Sequence, residues 1–386
     1  MSTTATDQDQ HVKVPDLNGI VFVSDRKEEK QFIEFPYEHY QGDAYWVPPL
    51  KMEQKKLINR DKNPFFDHGD MALFLAKKND KLAGRIAAIE DYRFNEHHGT
   101  SIGFFGFFEC IDDAGVANLL FRVASDWLKE RGWEKMMGPT NPSMMDELGV
   151  LVDGFDHYPS IMMPYSKTYY DELIKGQGFE KAMDLYAYRV DQDSLHKERF
   201  ERAQKMLKRR ISGLNIRQID LKNIDPEIKI VGEIYNKAWA HNWGFLPHRE
   251  KDFKQLADDP KMVLDPEVAA IAEIDGEPIG FTVSLPDYNQ VFRKMDGRML
   301  PTGIFKFLYY RKKINACRTA LMGVVPEHQG KGIDALLNNF TILNGWDNYY
   351  SSEMSWILES NVNMIRIAER SGAYHEKTYR LYEKEL

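Results

Sequence analysis

The chain has 386 residues, 43% of them apolar and 28% charged, with 51 Lys and Arg against 59 Asp and Glu for a net charge of −8. At about 100 to 200 residues per domain this length accommodates two cores, and the composition excludes disorder as the main state. The longest unbroken run of apolar residues and glycine, Ile102 to Phe108, is far short of the ~18 residues that a membrane span needs. No membrane partner is therefore expected. The polar start MSTTATDQDQHVKV carries no secretory signal, and the two cysteines, Cys110 and Cys317, form neither a disulfide framework nor a metal cluster. A cytoplasmic protein without a metal is expected. Residues 1–190 hold 22 basic and 31 acidic side chains, which leaves residues 191–386 at +1. A general nucleic-acid surface is not expected, and the more neutral C-terminal half is the better host for an anionic ligand.

Residues 1–18 read as a disordered leader. From there the chain repeats itself. Phe74 to Ala88 predicts a hairpin around Asn79-Asp80, and Ala270 to Ser284 predicts another around Asp275-Gly276 at an offset of 196. An apolar strand follows each, Ser101 to Cys110 and Thr319 to Val325. Next come helices Ala114 to Arg131, with Asp112 or Asp113 as N-cap and Gly132 as the stop, and Gly332 to about Trp346. Each copy then continues through a strand (Lys135 to Met137, Met354 to Leu358) and a short helix ending at Gly178-Phe179 or Gly372-Ala373. Each closes on a Tyr-rich strand, Ala182 to Val190 or Lys377 to Tyr382. The basic stretch Lys197 to Arg210 predicts a solvated connecting helix. The expected organisation is α/β: one domain over 19–192, a linker helix within 193–212 and a second domain over 213–386. Each domain should be a mixed, mainly antiparallel sheet flanked by helices.

The sharpest local signal is Val324-Val-Pro-Glu-His-Gln-Gly-Lys-Gly-Ile-Asp-Ala-Leu-Leu337. A strand ends, and a loop with Gly330 and Gly332 delivers the chain into a helix. Such a junction exposes backbone N–H groups beside the positive end of a helix dipole, a ready site for phosphate oxygens. The pattern resembles the acyl-CoA pyrophosphate loop of the GNAT superfamily of N-acetyltransferases, Arg/Gln-x-x-Gly-x-Gly/Ala. Gln329 and Gly332 match it, and Asp334 stands at the last position as a departure that either weakens phosphate binding or caps the helix. Asn361-Val-Asn-Met-Ile-Arg-Ile-Ala-Glu-Arg-Ser-Gly372-Ala373 matches the superfamily's later motif. The chain as a whole resembles bacterial tandem acetyltransferase-like proteins. The resemblance implies two acyl-CoA N-acyltransferase-like domains, with acetyl-CoA or another acyl-CoA held by Val324, Val325, Gln329, Gly330, Lys331, Gly332, Ile333, Asp334 and Asn361. In the first copy Glu109-Cys-Ile-Asp-Asp-Ala-Gly115 lacks this loop and sets two carboxylates where phosphates would sit, so that copy is expected not to bind CoA.

Transfer to an amine requires removal of a proton, attack on the thioester carbonyl and a proton or hydrogen bond for the departing thiolate. Many members of the superfamily serve the thiolate with a Tyr four residues before the last helix's terminal glycine. Ala368 stands there. Tyr379 or Tyr382 is the substitute candidate. Glu359, after an apolar strand and two residues before Asn361, is the candidate base, with Glu353 or a water path as alternatives. By the same resemblance, Trp243 and Phe245 of Asn242-Trp-Gly-Phe245 border the acceptor pocket. Gly138 to Gly149 is a long polar loop that contributes to a cleft between the copies or is structural. The expected activity is direct acyl transfer from acyl-CoA to an amine. An acyl-CoA-binding scaffold, favoured by Ala368 and Asp334, or an aminoacyl-tRNA-dependent transferase stands as the alternative.

Overall fold

The computed structural model describes residues 19–249, 252 and 264–386; the expected leader 1–18 lies outside the described residues. The first half comprises β1 (Ile20–Phe22), α1 (Arg26–His39), α2 (Lys51–Leu57), β2 (Gly69–Lys78), β3 (Lys81–Asp91), α3 (Tyr92–His98), β4 (Ile102–Cys110), α4 (Ala114–Lys129) and β5 (Lys135–Gly138). It continues with β6 (Thr140–Asn141), β7 (Glu147–Leu148), β8 (Val150–Asp153), α5 (Tyr170–Lys175) and β9 (Glu180–Asp191). After α6 (Lys197–Arg210) come β10 (Leu214–Gln218), α7 (Ile224–Ala238), β11 (Ala269–Ile274), β12 (Glu277–Pro286), α8 (Asn289–Phe292) and α9 (Gly303–Tyr310). The chain ends with β13 (Ala316–Val324), α10 (Ile333–Asn344), β14 (Ser351–Leu358), α11 (Val362–Arg370) and β15 (Tyr374–Glu385).

Local chemistry explains the elements. Asn79-Asp80 and Asp275-Gly276 turn their hairpins with both residues at positive φ. The Asp113 carboxylate caps α4 by accepting from the Val116 N–H at 2.9 Å, and the helix buries Val116, Leu120, Val123, Trp127 and Leu128 at helical spacing. That stripe packs on Phe74, Ile86 and Phe105 of β2 to β4, while Ile333, Leu337 and Phe340 of α10 pack on Ile271, Ile279 and Phe281 in the second half. The connecting helix α6 is mostly solvated, with Phe200 buried and Leu207 laid against Gly332.

The halves share one sheet in the order β1-β2-β3-β4-β5-β15-β9-β14-β13-β12-β11-β10, with β8 also pairing β15. It is antiparallel except at β4–β5 and β13–β14. The closing strands have crossed over. β15 pairs β5 and β8 of the first half on one side and β9 on the other, and β9 pairs β14 of the second half.

Both parallel pairs open into a fork. β13 and β14 stay in register only from Ala316↔Ser351 to Thr319↔Met354, and β4 and β5 only from Ile102↔Lys135 to Phe104↔Met137. A bulge sits at each opening. Against β12, the register jumps from Val283↔Leu321 to Ser284↔Thr319, which leaves Ala320 as the extra residue; against β3 it jumps from Arg85↔Glu109 to Ala87↔Gly106. An extra residue bends its strand and increases its twist, so each long strand turns away from its parallel neighbour.

Candidate active site

A cavity of about 970 Å³ lies between the halves and reaches into the second fork, where Ala320, Leu321 and Met322 of β13 face Trp356, Ile357 and Leu358 of β14. Its size is at the upper end of the roughly 300–1,000 Å³ usual for small-molecule sites. Most of the wall is apolar, with Leu50, Leu57, Ile161, Met163, Val231, Leu285, Tyr288 and Phe292 drawn from both halves.

The first fork is filled by its own chain. A Cβ on Gly106 would run into the Thr140 carbonyl, and the Asn141 side chain accepts from the Phe107 N–H at 2.6 Å. Residues 139–149 therefore plug that fork, and the loop's outer part, Ser143 to Leu148, becomes cavity wall. Two of its residues are carboxylates. Burial pushes Asp146 up to about 6, even though its carboxylate accepts from the Ser143 hydroxyl at 2.7 Å and the Ser143 N–H at 3.2 Å. Glu147 is also raised by burial, against the pull of Arg318 and Arg85. His68, with Nδ1 3.3 Å from the Asp91 carboxylate, lines the same cavity.

Beneath the second fork lies a buried ionic network that fixes its base. Arg318 donates through Nε to the Ser355 hydroxyl at 2.8 Å and through its two terminal nitrogens to the carbonyls of Ile161 and Ser355. The Ser355 hydroxyl donates to Glu353 at 2.7 Å, and the other Glu353 oxygen accepts from Ser160 at 2.9 Å and Lys377 at 3.2 Å. Burial raises Glu353, yet Lys377 and Arg189 outweigh it and hold the carboxyl below the usual range. Each nitrogen of Arg318 thus donates one bond, two to Ser355 and one to the loop carbonyl of Ile161, and Glu353 is engaged in the same network.

The predicted residues fall into three groups. The loop after β13 is a glycine-rich entry to a helix. Gly330 and Gly332 take φ of 72° and 86°, a left-handed backbone that only glycine adopts freely, and Gly332 opens α10. Gln329 folds back to donate to the Val324 carbonyl at 2.9 Å. Asp334, in the first turn, accepts from the adjacent Ala335 N–H at 2.8 Å, while Gly332 is the N-cap and no side chain of the described residues caps the helix. Lys331 is exposed beside this turn and Ile333 is buried under it. Val324 and Val325 are buried where β13 leaves the sheet, and Val325 donates to the Ile279 carbonyl at 2.9 Å.

Asn361, Trp243 and Phe245 belong to the cavity wall. Asn361 caps α11 by accepting from the Met364 N–H at 3.2 Å. Trp243 reaches out of the second half to pack among first-half side chains including Phe104 and Met137, while Phe245 sits in the second-half core. Glu359 and Tyr379 are placed away from that wall. Lys181 donates to one Glu359 oxygen at 2.8 Å and the Asp184 N–H to the other at 3.1 Å. Tyr379 is fully buried behind Trp356, with no hydrogen-bond partner for its hydroxyl among the described residues. Ala368 is buried under α11 against Met354 and Ile357, so no phenol approaches the fork from that helix.

Sequence reading did not find Asp146, Glu147 or His68. The length of the 138–149 loop was a signal for the first two; His68 gave none, because only the fold brings it to the cavity wall.

A double fork with one glycine-rich loop leading into a helix defines a tandem GCN5-related N-acetyltransferase (GNAT) fold. The tandem GNAT protein from the clavulanic acid biosynthesis pathway has the same fold, with a TM-score of 0.56 over 95% of this chain and 98% of its own at 11% identity. No protein-family profile matches the chain. It is 38% identical over 377 residues to the bacterial ceramide synthase of Caulobacter vibrioides, covering 95% of this chain and 97% of that one. It is 37% identical over 366 residues to protein YghO of Escherichia coli, covering 92% and 93%. The chain belongs to the family of these two proteins.

Proposed function

We propose that the chain is an acyl-CoA-dependent N-acyltransferase that acylates the amine of a long-chain amino alcohol to give a ceramide-type amide. The observation that carries this reading is the apolar cavity of about 970 Å³ that runs into the open fork. An acetyl group and a small polar amine have no use for such a wall; alkyl chains gain free energy from it, at about 0.8 kcal/mol per CH₂ removed from water. The name of the Caulobacter relative supports the same substrate class.

In this mechanism the N–H groups at 330–333 hold the pyrophosphate and the fork receives the pantetheine arm. Val324 and Val325 flank the arm. The acceptor lies along the wall made by both halves, with Trp243, Phe245 and Asn361 beside it. The amine nitrogen attacks the thioester carbonyl, the C–S bond breaks, and the CoA thiolate leaves. We assign the proton from the amine to Asp146 in preference to Glu359, whose carboxylate is engaged by Lys181. A raised carboxyl near 6 is ionised at neutral pH and still basic enough to accept a proton in the transition state.

The test crosses acetyl-CoA and palmitoyl-CoA with a long-chain 2-amino-1,3-diol and with a short soluble amine, following CoA release and the amide by mass spectrometry. Amide from the long-chain amine with palmitoyl-CoA is expected. Release only with the short amine would overturn the substrate class, and thermal stabilisation by CoA without release from any pair would favour the scaffold reading.

A further inference from the structure

The helix α9 has two unlike faces. Gly303 and Phe307 face inward, where Phe307 lies 5.6 Å from the Tyr288 ring and lines the cavity. On the outer side Phe305 is 72% exposed, Leu308 46% and Tyr309 59%, and Leu300 just before the helix is 73% exposed. Phe305, Leu308 and Tyr309 stand at i, i+3 and i+4, so they form one apolar stripe on solvent. Contiguous exposed apolar surface of this kind marks an interaction site.

The charge around the stripe selects the occupant. Between residues 293 and 313 lie seven basic side chains, Arg293, Lys294, Arg298, Lys306, Arg311, Lys312 and Lys313, against the single carboxylate of Asp296, in a chain whose net charge is −8. All seven are exposed. The neighbouring helix α2 is tied to this segment by Lys51, whose N–H donates to the Gly297 carbonyl at 2.9 Å, and adds exposed Met52 and Lys55 with Glu53 between them. Apolar rings ringed by cations match the headgroup boundary of an anionic bilayer, where rings enter the acyl edge and ammonium and guanidinium groups meet phosphate. A two-fold contact with the same patch of a second copy would instead set these cations against each other.

We infer that α9 and its flanks, Leu300 to Lys313, dock the protein on an anionic lipid surface. The same helix that closes the cavity with Phe307 then lies against the bilayer, so a lipid amine and its amide product pass between membrane and cavity at this wall. That last clause rests on the proposed acyltransferase reading; the docking does not. No described helix is long and apolar enough to cross a membrane, so the contact is interfacial.

The experiment is co-sedimentation of the full chain with vesicles of phosphatidylcholine alone and of phosphatidylcholine with phosphatidylglycerol. Binding is expected to the mixed vesicles, weaker with added salt. Each basic residue near the surface is worth about a fivefold change in affinity, so Arg311→Glu with Lys312→Glu should weaken binding at least about 25-fold. Phe305→Ser with Leu308→Ser should also release the protein. The melting-temperature rise with acetyl-CoA, which reports the cofactor site separately, should be unchanged in both variants. Wild-type protein that ignores the mixed vesicles, or variants that bind as wild type, would overturn the proposal. A dimer that the Ser substitutions dissolve, with no vesicle binding by the wild type, would give the patch to a second copy instead.

Discussion

Asp146→Asn keeps the shape of the side chain and its contacts with Ser143 while removing its basicity. With the carboxyl at about 6, about 99% is ionised at pH 8, half at pH 6 and about 10% at pH 5. The acceptor amine titrates near the ordinary alkylammonium value of about 10, so its reactive fraction already rises tenfold per unit across this range. The wild-type logarithm of kcat/KM should therefore rise with a slope of two below about pH 6 and of one above it. The variant should follow a slope of one throughout, at a rate lower by about 10² to 10⁴ at pH 8. CoA release with palmitoyl-CoA and a long-chain amino alcohol provides the assay. Stability separates lost chemistry from lost fold. Because the folded-state pKa lies above the ordinary 3.8, ionisation of Asp146 opposes folding progressively as pH rises from about 4 to 6 and fully above that. At pH 7 the Asn variant should melt no lower than the wild type. A variant with the wild-type rate and the break near pH 6 intact would refute the base assignment.

The remaining predictions concern the cofactor and the residues behind the wall. Acetyl-CoA at a hundredfold excess over its Kd should stabilise the wild type by about 2.7 kcal/mol, and Gly332→Glu should abolish the shift by adding a carboxylate at the anion site; an unmoved wild-type melting temperature would remove the cofactor assignment. Calorimetry should find one CoA per chain, because Asp113 caps α4 and is ion-paired with Lys78 at the position equivalent to the pyrophosphate loop; two comparable sites would contradict this. Tyr379→Phe should leave turnover unchanged and raise stability by about 1 kcal/mol, since it deletes a buried hydroxyl with no hydrogen-bond partner among the described residues. A loss of turnover of tenfold or more at unchanged stability would bring Tyr379 back to the thiolate.

Much of the fold was legible because its signals are local. Alternating hairpins around Asn79-Asp80 and Asp275-Gly276, the apolar stripe of α4 and the glycine-rich entry to α10 each declare themselves within twenty residues. The exchange of closing strands was not legible, since β9 and β15 carry the same Tyr-rich pattern and pairing partners are chosen by tertiary register. Site residues followed the same division. Loop 329–334 is a contiguous backbone feature with a sequence signature. The proposed base depends on which carboxylate lines the cavity, and position after a strand cannot distinguish Glu359, which folds against Lys181, from Asp146, which lies in the cavity wall.

Two copies of one unit begin with two equivalent forks, and the structure uses them differently. Residues 139–149 fill the first, and the loop's outer side becomes wall of the cavity that reaches into the second. The strand exchange holds that wall in register: β9 lies between β14 and β15, and Ser160 of the first half donates to Glu353 beneath the second fork. A second half cut free at residue 213 would keep the glycine-rich loop but lose β5, β8 and β9, leaving β14 paired only with β13 and β15 with no partner strand among those described. On the proposed function, one loop does both things: the segment that closes the first fork to a pantetheine arm is also the segment that lines the acceptor side of the second.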